Sequence, residues 1–140
     1  MKNKGIALIL ALFSLAFISL LVVIFVDTVT IDQQIVTNQV KDTQTLFLAD
    51  AGVEYAVCKL KADNTYDTDA DSDGIVYPTD AGDYDSDTLN TGSYKVGIPF
   101  GAALPKTITS EGVSGDFSRT LEVVVDGSGS DVRIVTWREI

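Results

Sequence analysis

The chain has 140 residues, room for one domain and a long anchoring element, which argues against a two-domain enzyme. Its formal net charge of -10, with no basic cluster beyond the first few residues, excludes an electrostatic nucleic-acid footprint. Histidine is absent and Cys58 is the single cysteine, so a His-bearing catalytic triad, a Cys/His zinc site and an intrachain disulfide are all excluded. Catalysis would have to rest on carboxylates, Lys or Tyr. No aromatic-lined cleft is evident beside the clustered acids, and the chain is not expected to be an enzyme.

Ile6 to Val26 is an apolar run interrupted only by Ser14 and Ser19, two hydroxyls that a helix can satisfy on its own backbone. At about 1.5 Å per residue the run spans roughly 31 Å, enough to cross a hydrocarbon core. Lys2 and Lys4 precede it and Asp27 ends it, which predicts an N-terminus inside and a remainder that crosses. The apolar region of a cleavable secretory signal is about 7–15 residues long and is followed by a small-x-small site. Neither feature is present here; another reading places a cut before the run, between Gly5 and Ile6, which leaves the helix on the mature protein.

The stretch Lys4-Gly5-Ile6, its short basic leader and the apolar helix resemble the prepilin signal of type IV pilins and type II secretion pseudopilins. The likeness is nearest to the X-type minor pilins, whose helix runs on into an Ala-rich segment like Ala49–Ala56. The resemblance implies cleavage between Gly5 and Ile6 by prepilin peptidase and methylation of the new N-terminus. It also implies residence as a single-pass protein of the inner (cytoplasmic) membrane, then assembly with other pilin-like subunits through an inner-membrane platform into an extracellular or periplasmic filament. Such filaments serve adhesion, twitching, DNA uptake or secretion. Major pilins carry Glu at the fifth mature position, which here is Leu10. A carboxylate within the bilayer costs about 2.5–3.5 kcal/mol, so relatives that keep it use it, and its absence implies that its job is not done here. K-type pseudopilins and some minor pilins also lack it and sit at or near the filament tip, so the resemblance implies a minor, tip-type subunit.

From Asp27 to about Ala62 there is no Pro and one Gly, and the helix is expected to continue, with the Thr- and Gln-rich part up to Thr45 the weaker portion. At about 100° per residue Val36, Val40, Phe47, Ala51 and Cys58 form one stripe. Ile35, Leu46, Val53, Val57 and Leu60 form another, roughly 125° away. Two stripes suit a helix that grips its own head on one side and neighbouring helices on the other; the alternative is a helix sunk deeper in its own core. Cys58 reads as a buried apolar thiol.

Residues 63–92 change character to an acidic loop. Asp69, Asp71, Asp73 and Gly74 reproduce the D-x-D-x-D-G start of a calcium loop, in which alternate carboxylates converge on one ion and Gly permits the turn. Asp80 takes the twelfth position in place of the usual Glu, and Pro78 and Gly82 argue against an exiting helix, so a looser calcium loop than an EF-hand is expected. The competing reading is a solvated acidic surface.

Four strand-length stretches follow, Ser93–Ile98, Lys106–Val113, Arg119–Asp126 and Val132–Ile140, separated by turn-rich segments. They predict an antiparallel meander covered by the helix, with Trp137 packed on the sheet. The expected architecture is α+β: leader 1–5, membrane and filament-core helix 6–26, amphipathic helix 27–62, acidic loop 63–92 and sheet head 93–140. The expected function is that of a filament subunit. The alternative is a single-pass, membrane-anchored, extracytoplasmic calcium-binding module.

Overall fold

The computed structural model describes residues 4–90, 92–101 and 104–140, so Lys2 and most of the expected leader lie outside the described residues. A single helix, α1, runs Lys4–Ala62. No Pro interrupts it, and the weaker Thr- and Gln-rich part is helical throughout. Lys59 and Lys61 occupy the last turn, where cations favour the dipole. An Asx turn stops the helix there: Asp63 Oδ1 accepts from the Thr65 N–H at 2.9 Å and the Thr65 hydroxyl at 2.6 Å.

The chain divides into two units, Met1–Gln39 and Val40–Ile140. In the first, every described side chain from Gly5 to Gln39 is exposed. A helix apolar on all sides satisfies only its own backbone and leaves its side chains for another environment. This helix is long and apolar enough to span a membrane. Its hydroxyls turn inward: Ser14 and Ser19 donate to the carbonyls of Leu10 and Leu15, both at 2.9 Å.

In the second unit the helix packs on a five-stranded antiparallel sheet in the order β1-β2-β3-β4-β5. The strands are β1 Asp85–Leu89, β2 Gly92–Gly97, β3 Lys106–Ser114, β4 Phe117–Asp126 and β5 Arg133–Glu139. The fold is α+β, as expected. Thr45, Leu48, Ala49, Val53, Ala56, Val57 and Leu60 recur at helical spacing and are buried. Against them lie Tyr94, Val96 and Ile98 with the alternating Ile108 of β3 and Leu121, Val123 and Val125 of β4. Glycines set the separation. A Cβ on Gly112 would overlap the Thr45 carbonyl oxygen, and one on Gly52 would overlap the Ser110 hydroxyl.

Three sequence expectations need correction. The acidic loop does not extend to residue 92, because Asp85–Leu89 pairs with β2, Asp85 opposite Val96 and Leu89 opposite Gly92. Trp137 is not packed into the sheet core but is 51% exposed. Along β5 Thr136 pairs with Val124 and Ile134 with Val125, leaving Val135 as a bulge. The bulge brings Ile134 and Trp137 to one face, opposite Val125 and Val123. Cys58, finally, is exposed, since it lies on the helix arc turned away from the sheet.

Candidate functional site

The helix presents the first set of candidate residues. Gly5 and Ile6 lie in its first turn, with nothing within 4 Å of a Cβ built on Gly5. Leu10, the fifth residue counted from Ile6, is exposed; together with Ile6, Ile9, Phe13 and Ser14 it lines a shallow apolar depression. Of the stripe Val36, Val40, Phe47, Ala51 and Cys58, only Ala51 packs against the core. Val36, Val40 and Phe47 are exposed, Phe47 by 67%. A helix with both stripes sunk in its own core is therefore not what is found: Val53, Val57 and Leu60 are buried, and the opposite stripe is open.

The second candidate is the acidic loop, which follows the helix and returns to β1. Its path is fixed by backbone pairing with the end of β2. The Thr68 N–H donates to the Ile98 carbonyl at 2.9 Å, and the Ile98 N–H donates to the Thr68 hydroxyl at 2.9 Å. A turn follows in which Ser72 and Gly74 have φ of 62° and 83°. Gly74 accepts that left-handed geometry without a Cβ penalty, as the D-x-D-x-D-G spacing anticipates.

The turn places carboxylates selectively. Asp69 Oδ2 accepts the Gly74 N–H at 2.7 Å, and Asp71 Oδ1 accepts the Asp73 N–H at 3.2 Å. Asp83 reaches in from the far end of the loop, where its Oδ1 accepts the Ala70 N–H at 3.1 Å. Oxygens of Asp69, Asp71 and Asp83 lie within 4.8 Å of one another. Of the four expected ligands the structure therefore brings together Asp69 and Asp71. Asp73 instead accepts the Ile75 N–H at 2.7 Å, and Asp80 accepts the Gly82 N–H at 2.9 Å, each capping its own local turn. Asp83 was missed because it lies outside a twelve-residue loop window; only folding makes it a neighbour.

The electrostatics of this trio are unbalanced. Asp69 and Asp83 are only 4% and 5% exposed. Burial raises the Asp69 carboxyl, but backbone N–H groups, led by that of Gly74, outweigh it and hold it below the usual carboxylate range. For Asp71 the Asp73 N–H lowers the carboxyl, while desolvation and the charges of Asp73, Asp83 and Asp69 together raise it.

Around the trio, aromatic rings tie the loop down. The hydroxyls of Tyr55 on α1 and Tyr66 in the loop both donate to Asp85 Oδ2 at the start of β1, and Lys59 sits 5.2 Å from the centroid of each ring. The Tyr77 hydroxyl donates to Glu111 on β3, and its ring meets Tyr84 edge-on at 5.4 Å. Lys106, buried at the start of β3, donates to the Tyr66 carbonyl at 3.0 Å. Its ammonium is pulled down by burial, against the opposing charges of Asp67 and Asp63. Comparison of the chain with known protein families, with curated proteins and with solved structures gives no match.

Proposed function

We propose that the chain is a structural subunit, of the minor or tip type, of a type IV pilus or related type II secretion-like filament. One observation carries this reading: α1 divides into a first part in which no described side chain is buried and a second part with one face committed to its own sheet. An apolar helix that finds no partner within its own chain needs a bilayer or other helices around it. In this reading prepilin peptidase cuts between Gly5 and Ile6, and the subunit waits in the inner membrane with its head outside. The assembly platform then moves it into a filament with other pilin-like subunits. The exposed stripe of Val36, Val40 and Phe47 supports lateral packing on those neighbours, and Leu10 in place of an acidic residue supports a minor role.

The test is the N-terminal sequence and mass of the protein recovered from membranes and from sheared surface filaments. A methylated N-terminus at Ile6 in the filament fraction is expected. An intact Met1 confined to membranes would replace the filament reading with that of a membrane-anchored binding module.

A further inference from the structure

The loop between α1 and β1 joins two strongly buried carboxylates, Asp69 and Asp83, to the exposed Asp71. Removing charged carboxylates from water is costly unless a cation or a full set of donors replaces the solvent. The donors are incomplete. Asp69 Oδ2 is engaged by Gly74, but Asp69 Oδ1 is buried with no hydrogen-bond partner. Nor is there a neutralising side chain: the ion pairs among the described residues, Arg119 with Asp42 and Glu139 and Arg138 with Glu122, include none of the trio.

We propose that Asp69, Asp71 and Asp83 bind one calcium ion, which clamps the two ends of the loop together beside the sheet. The donor set is all oxygen, which selects a hard cation. Separations up to 4.8 Å suit the 2.3–2.6 Å bonds and loose geometry of calcium better than the tight octahedron of magnesium. Three carboxylates against a dication leave the site with a single negative charge, and the orphaned Asp69 oxygen gains the partner it lacks. The remaining coordination positions fall to loop carbonyls and water, as is usual for calcium. The site differs from a sequential calcium loop in one respect that can be tested: Asp83 closes it and Asp80 does not. It does not depend on how the N-terminus is processed.

The experiment uses the full chain in detergent micelles, stripped with a chelator and titrated with calcium chloride by calorimetry. Unfolding temperature and amide exchange are followed in parallel. One ion per chain is expected, with a Kd on the order of 10⁻⁴ M to 10⁻³ M, as in extracellular modules. Calcium should raise the unfolding temperature and slow amide exchange across residues 69–83. Asp83→Asn and the surface variant Asp71→Asn should each weaken binding by about tenfold or more, while Asp80→Asn should leave it unchanged. Asp71→Asn, being exposed, keeps the test valid if Asp83→Asn does not fold. No heat and no thermal shift at millimolar calcium would overturn the proposal. So would loss of binding in Asp80→Asn with retention in Asp71→Asn, or an equal response to magnesium.

Discussion

One helix meets two different fates along its length. Up to Gln39 its apolar side chains are all exposed; from Thr45 to Leu60 less hydrophobic residues such as Ala49, Ala56 and Thr45 are wholly buried. Hydrophobicity therefore does not decide which part of the helix holds the fold together. What decides it is whether small residues allow close approach, as at Gly52 and Gly112. The first part has apolar surface without a partner, and the second has a partner fitted to modest apolar surface.

The sharpest way to break this contrast is truncation on each side of it. Leu60→Ala removes a fully buried side chain and should cost about 2–5 kcal/mol, read from the urea midpoint of the full chain in detergent. Phe13→Ala, in the exposed part, should leave that midpoint where it was. Next comes over-filling. Gly112→Ala drives a methyl into the helix backbone at Thr45 and Ala49 and should cost about 1–3 kcal/mol, whereas Gly5→Ala meets open space and should cost the head nothing.

A smaller effect is expected where the helix is clasped. Arg119 donates from Nε and Nη2 to Asp42 at 2.7 and 2.8 Å and also pairs with Glu139 of β5. Its side chain is 40% exposed, so water screens the pair and Arg119→Ala should lower the urea midpoint only slightly, and by less in high salt.

Alkaline pH should loosen the same unit. Burial first, and then the bond and charge of Glu111, push the Tyr77 hydroxyl from 10.0 up to about 12. A raised folded value means the neutral form is the stabilised one. Its contribution is complete below pH 10.0 and is lost as the pH climbs through about 12. Unfolding temperature should fall across that window, and Tyr77→Phe should flatten the fall. The smallest effect has the opposite sign. The Ser110 hydroxyl is buried against Gly52 without a partner, so Ser110→Ala should be neutral or stabilising, by up to about 1 kcal/mol in thermal unfolding.

Much of this architecture is legible in the residues because it rests on local periodicity. The uninterrupted helix and four of the five strands fall within a few residues of their expected bounds. β1 was illegible because Asp85–Leu89 lies at the sheet edge, its last four residues exposed, and carries no apolar alternation to announce it. Trp137 was misplaced because the enrichment of aromatics in strands says nothing of which strand is covered, and β5 lies at the sheet edge with every residue exposed. Cys58 illustrates a third limit. A helical stripe can be read from the sequence, but which stripe faces the sheet depends on where Gly52 and Gly112 permit contact. The candidate metal centre was half legible: the D-x-D-x-D-G spacing pointed to Asp69 and Asp71, and the loop's return brings Asp83 beside them.

Between Ile6 and Val26 the only polar side chains, Ser14 and Ser19, direct their protons to carbonyls of their own helix. The stretch is thus chemically silent toward whatever surrounds it, a surface of methyl, methylene and phenyl groups with no side-chain donor held out. Anything that discriminates among its neighbours has to do so by shape, length and the fit of side chains into depressions such as the one beside Leu10. Such a surface can slide and re-seat without breaking a single directional bond.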